Sequence, residues 1–121
     1  YETIDLINST RYKYGLQPLI YSEKATKSAK KHSEDMKDNN FFNHQNLKNE
    51  TPFDRMEKEG ISYMTAGENI AAGQVNAIFV HNGLMNSIGH RKNILGNYKY
   101  IGVGVVFGGK YKTYYTENFF G

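Results

Sequence analysis

The run Tyr100-Ile101-Gly102-Val103-Gly104-Val105-Val106-Phe107, followed by Gly108-Gly109-Lys110 and then Tyr111 to Phe119, decides the fold. Ile101, Val103, Val105 and Phe107 alternate with Gly102, Gly104 and Val106, which is the two-residue period of a strand and not the 3.6-residue period of a helix. Tyr111, Thr113, Tyr115 and Glu117 carry the same alternation through the next run. Two alternating runs joined by a glycine-rich turn predict an antiparallel hairpin, Tyr100–Phe107 against Tyr111–Phe119.

Upstream of the hairpin the period changes. Ile4, Leu6, Ile7 and Tyr14 mark a first helix from Thr3 to about Lys13, closed by Gly15 and Pro18. Ser22 stands as the N-cap of a second, in which Ala25, Ala29, His32 and Met36 recur at helical spacing down to Asp38-Asn39-Asn40. The small alanines imply close packing on another element. Thr51-Pro52-Phe53-Asp54 reads as a capping box with proline at the first helical position, and Gly60 closes that short third helix. A fourth helix is expected from about Asn76 to Met85, with Ala77, Ile78, Val80 and Leu84 on or near one face, before Ser87-Ile88-Gly89-His90 interrupts it. Helices first and strands last predict an α+β fold, helices packed on a small antiparallel sheet.

A chain of 121 residues fits one domain, residues 1–121. Ten tyrosines and seven phenylalanines give it a core despite few aliphatic residues, and tyrosine hydroxyls want wet edges, which favours a grooved surface. The net charge of +3 is a mild excess, and the basic stretch Lys24–Lys31 lies on the outer face of the second helix, so nucleic-acid binding is not expected. With no cysteine there is no disulfide framework, thiolate metal site or cysteine nucleophile. No apolar run approaches the ~18 residues of a membrane-spanning helix. A first residue that is tyrosine suggests a domain excised from a longer secreted protein.

Chemistry must come from four histidines and a few carboxylates. His32 shares the apolar stripe of its helix and reads as a core residue, and His81, beside Val80 and with no acid within a turn, reads as packing. His44, after Phe41-Phe42, and His90, after Gly89, sit in irregular segments where rigid elements aim functional side chains. Glu68, in Ala66-Gly67-Glu68-Asn69-Ile70, is placed as a buried or cleft-facing carboxylate. Taken singly, these residues fit a site and loop bracing alike.

Together, Phe42-Asn43-His44, Gly67-Glu68-Asn69-Ile70, Asn86-Ser87-Ile88-Gly89-His90-Arg91-Lys92-Asn93-Ile94-Leu95 and Tyr115-Thr116-Glu117-Asn118-Phe119 resemble, in this order, the bacterial branch of the CAP superfamily: the cysteine-rich secretory, antigen-five and pathogenesis-related proteins. The resemblance implies an α-β-α sandwich with a central antiparallel sheet, and an extracellular or cell-envelope location. It also implies a cleft lined by His44, Glu68, Asn69, Ser87 and His90, with His44 and His90 as the ligands of a divalent metal such as zinc. Ser87 falls at or close to the family's second glutamate, Leu84 stands for its usual tryptophan and Ile88 for the proline before Gly89. Arg91 is expected to cap or salt-bridge the cleft loops. Two imidazoles are fewer than the three or four protein ligands of ordinary zinc sites, so such a site would be weak and completed by solvent.

Two functions follow from that cleft. One is a secreted binding module that captures a small amphiphile, an envelope component or a protein partner. The other is a metal-assisted hydrolase with His44 and His90 on the ion and Glu68 as general base, although the His-Glu-x-x-His signature of zinc peptidases is missing. A serine hydrolase is the poorer third, since Ser87 has no nucleophile-elbow context.

Overall fold

A computed structural model describes residues 2–121. The elements, in chain order, are α1 (Glu2–Lys13), β1 (Ile20–Tyr21), α2 (Glu23–Asp38), α3 (Pro52–Lys58), β2 (Ala66–Ala72), α4 (Ala77–Met85), α5 (Ile88–Ile94), β3 (Tyr100–Phe107) and β4 (Thr113–Phe120). The caps of α2 and α3 lie where the sequence puts them, and Asn76, expected inside the fourth helix, is the N-cap of α4. Ser22 Oγ accepts from Ala25 N, Thr51 and Asp54 form the reciprocal capping box, and Asn76 accepts from Phe79 N.

The hairpin pairs as expected, Tyr100 opposite Phe120 and Phe107 opposite Thr113, though the turn reaches Lys112 and the second strand starts two residues late. It is the centre of a four-stranded sheet of order β1-β3-β4-β2. β2 pairs antiparallel with β4, whereas the two-residue β1 runs parallel to β3, so the sheet is mixed and not wholly antiparallel. β2 is a strand that alternation does not announce. Its residues from Gly67 to Ala71 are all buried, because it has helices over both faces. Tyr14, expected on the apolar stripe of α1, lies beyond the helix and is exposed.

Two helical layers sandwich the sheet. α2 lies so close to one face that a Cβ on Gly102 would come within 2.1 Å of Thr26 N, and one on Gly104 within 2.3 Å of Lys30 Cα. The glycines read as one side of a strand are therefore the seat of the helix. On this face Met36 packs with Ile70, Val106 and Tyr114, and Met56 of α3 packs with Ala25 and Ile61. On the other face Ile4 and Ile7 of α1, Val80 and Leu84 of α4 and Ile94 of α5 pack on Ile101, Tyr115, Phe119 and Ala71. Arg11 ties the ends of α1 and α5 together, its buried guanidinium donating to the carbonyls of Gln17 (2.8 Å), Ile94 (3.0 Å) and Gly96 (2.8 Å).

Candidate functional site

Register places Glu68 opposite Asn118, and Asn118 opposite Gly102, so all three point to the α2 face of the sheet. There the Glu68 side chain is only 1% exposed and every approach to its carboxylate is taken. His44 Nδ1 donates to Oε1 at 2.9 Å, and Arg55 Nη2 donates to the same oxygen at 2.9 Å. Arg55 Nη1 stands 2.8 Å from Oε2, to which Asn118 Nδ2 donates at 2.8 Å. Burial pushes this carboxyl up, but the bonds from His44 and Arg55 and the guanidinium charge outweigh it and hold the group below its usual range.

His44 is on an irregular segment, as expected, and that segment is braced from behind. Arg55 Nη2 donates to the His44 carbonyl at 2.8 Å, and His32 Nε2 donates to the Asn43 carbonyl at 2.7 Å. His32 is thus a core residue that also braces the loop, its ring carrying the proton on Nε2. Burial, then the nearby Arg55 charge, lower its basicity. The His44 ring stays 46% exposed, its Nδ1 engaged by Glu68.

His90 is not on an irregular segment; it is the third residue of α5. Ser87 is the N-cap of that helix, yet its hydroxyl makes no backbone cap. It shares a 2.9 Å hydrogen bond with His90 Nδ1 instead. Burial, then the charge of His44, lower the His90 pKa. Asn69, on the opposite face of β2 from Glu68, donates to the His90 carbonyl at 3.1 Å and to Glu117 Oε1 at 3.2 Å. Asn93 donates to the Glu68 carbonyl (3.0 Å) and to Asn69 Oδ1 (2.8 Å), stitching α5 to β2. Gly67 permits that approach, since a Cβ there would meet Tyr98 Oη at 2.6 Å.

Arg91, expected to brace the loops, is exposed, and Arg55 does that work. Arg55, Asn93, Asn118 and Glu117 are the residues that sequence reasoning missed. Asn93 and Asn118 lie inside the quoted motifs, but Arg55 is one charged residue in a short helix and nothing local marks it. His81 is buried by α1 and hydrogen-bonded to Thr10 at 2.7 Å, away from the cleft residues in its contacts. Among the described residues no group of three or more His, Cys, Asp or Glu side chains is arranged to hold an ion.

An α-β-α sandwich with a loop-borne histidine held by a buried strand glutamate, and a second histidine on a short helix beside that strand, defines the class of protein. Residues 4–119 match the model of the cysteine-rich secretory protein family, CAP, and the chain belongs to that family. The uncharacterized protein YkwD of Bacillus subtilis is 49% identical over 121 residues, an alignment covering 99% of this chain and 46% of that protein. The chain thus spans about half the length of this relative. The crystal structure of an extracellular protein containing an SCP domain from Bacillus anthracis superposes with a TM-score of 0.91 at 37% identity, over 98% of this chain and 39% of that one. An outer surface protein from Borrelia burgdorferi shares the fold, with a TM-score of 0.89 at 23% identity over 97% of this chain and 87% of that protein. No helix among the described residues is long and apolar enough to cross a membrane.

Proposed function

We propose that this CAP domain works outside the cytoplasm, in the medium or at the cell envelope, as a binding module whose cleft presents His44 and His90 to a small amphiphile, an envelope component or a protein partner. The descriptions of the Bacillus anthracis and Borrelia burgdorferi proteins as extracellular and outer-surface support the location. The observation that carries the binding reading is the state of Glu68. Its two oxygens are consumed by His44, Arg55 and Asn118, and its basicity is lowered, whereas a general base needs a free oxygen and a raised pKa. Glu68 therefore serves to orient His44. Both histidines are held through Nδ1, so Nε2 is the nitrogen each would offer to a ligand, and the exposed apolar Phe42 and Ile88 lie on the same two segments.

The donor set fits a divalent ion as far as two imidazoles go. His44 backed by Glu68 is the carboxylate–histidine pairing that orients metal ligands, and His90 backed by Ser87 is its neutral counterpart. A zinc ion held by the two Nε2 atoms would offer a Lewis-acidic anchor for an anionic head group, its other positions filled by water or ligand.

Titration calorimetry with zinc at pH 7.5 tests the pair. Weak uptake should disappear in the His44→Ala/His90→Ala variant, which should melt within a few degrees of the parent, and should weaken as pH falls through ~6.5 where imidazoles protonate. Unchanged uptake in that variant would move the metal elsewhere. Casein hydrolysis with zinc present that Glu68→Gln abolishes in a folded protein would replace binding by the metal-assisted hydrolase.

A further inference from the structure

Behind the loop that carries His44, between α2, α3 and residues 46–50, lies a cavity of about 520 Å³, within the range of small-molecule sites. Three buried side chains at its wall carry polar atoms that find no hydrogen-bond partner among the described residues: Ser28 Oγ, His32 Nδ1 and Arg55 Nε. Ser28 and His32 are each 1% exposed and Arg55 7%. Buried polar groups are nearly always paired, with protein or with ordered water, and the three on this wall are the groups that a molecule bound in the cavity would pair.

The chemistry of that ligand follows from the donor and acceptor roles. His32 gives its Nε2 proton to the Asn43 carbonyl, so the neutral ring offers Nδ1 as an acceptor. Arg55 Nε is a donor, and the Ser28 hydroxyl is both. An anion would meet the lone pair of His32, and a cation would meet the guanidinium. A hydroxyl satisfies all three, since it donates to one neighbour while accepting from another.

The charges around the cavity agree. Lys31 is paired with Glu59 at 2.6 Å, Lys58 with Glu50, and Arg55 with Glu68, so these walls are self-neutralised. Lys48 and Asp35 add one charge of each sign. We propose that the cavity is a second binding site, distinct from the His44/His90 cleft, for a neutral hydroxyl-rich ligand of one or two saccharide rings. Ser28, His32 and Arg55 hold it at the wall, with Asp35 and Lys48 at the rim. Arg55 belongs to both sites, through Nε here and through its Nη atoms on Glu68.

The test is a backbone-amide NMR titration with maltose, cellobiose and N,N′-diacetylchitobiose in turn, and with inorganic phosphate as the anionic control. At least one disaccharide should shift the amides of Ser28, His32 and Asn46 saturably in the millimolar range, while phosphate should not. Ser28→Ala removes one wall hydroxyl and should weaken binding roughly threefold to tenfold. Lys48→Ala, at an exposed position where folding is not at stake, should weaken it by a smaller factor. The proposal is overturned if no disaccharide shifts these amides, if the shifts centre on His44 and His90, if phosphate reproduces them, or if both variants bind as the parent does.

Discussion

Two Glu–Asn dipeptides face each other across the β2–β4 pair, and they have opposite fates. Glu68-Asn69 on β2 runs antiparallel to Glu117-Asn118 on β4, so each glutamate lies opposite the other strand's asparagine and takes a hydrogen bond from it. The local chemistry is the same and the faces differ. Glu68 points to the α2 face, where Arg55 of α3 and His44 of the loop before it reach its carboxylate. Glu117 points to the α1/α4/α5 face, where the surroundings are Ile, Leu, Val and Phe and where its Oε2 finds no partner among the described residues. Burial accordingly pushes the Glu117 carboxyl up to about 7, with only the Asn69 bond opposing, while Glu68 is held down. A carboxylate in a strand is thus fully charged or half protonated near pH 7 according to the helix laid over it. Only the charged one can orient a histidine.

The largest effect expected from this contrast is at Arg55. Arg55→Met strands Glu68 in a site where it is 1% exposed, and breaking a buried ion pair from one side costs about 3–5 kcal/mol. Urea denaturation at pH 7 measures it. Arg55→Met/Glu68→Gln should cost distinctly less than the sum of the two single changes, because the neutral amide no longer needs the cation. A loss under about 1 kcal/mol for Arg55→Met would mean that His44 and Asn118 suffice, and the two glutamates would differ less than their surroundings suggest.

Glu117 should respond in the opposite direction. Its folded pKa of about 7 lies above the ordinary 4.5, so the native state holds the proton more tightly than the unfolded chain. The stabilisation from that proton is complete below about 4.5 and is lost as pH rises through about 7, a span worth roughly 3 kcal/mol at most. Glu117→Gln should therefore stabilise the protein at pH 8 by about 1–3 kcal/mol and flatten stability between pH 5 and 8. Glu68→Gln should destabilise it there. Loss of stability in Glu117→Gln at pH 8 would show that the carboxylate is charged and solvated after all.

How much of this was legible in the sequence follows from the same geometry. The hairpin and the capped helices are carried by local signals, namely alternation and capping residues, and the pairing of His44 with Glu68 joins two of the short motifs. Glu68 and His90 stood in recognisable runs, although His90 turned out helical because Ser87 caps α5 by its backbone position while its hydroxyl serves the ring. β2 was not legible as a strand, since burial on both faces erases alternation and Gly-Glu-Asn is poor strand composition. Nor was the difference between Glu68 and Glu117, because Arg55 reaches Glu68 across 13 residues of chain through tertiary packing alone. The parallel β1 was hidden by its two-residue length.

The smallest effect concerns the coupling between the two histidines, and it separates the two faces of the molecule by a titration. Burial lowers the His90 pKa first, and the charge of His44 lowers it further. His81, on the far face under α1, is lowered by burial alone. His44→Ala removes the second cause at His90 and leaves the first, so the His90 imidazole should titrate at higher pH than in the parent, still below its ordinary 6.5. His81 should not move, which makes it the internal control in the same NMR spectra. An unmoved His90 in His44→Ala would mean that the rings are electrostatically separate, and a cleft presenting both to one ligand would then be hard to maintain.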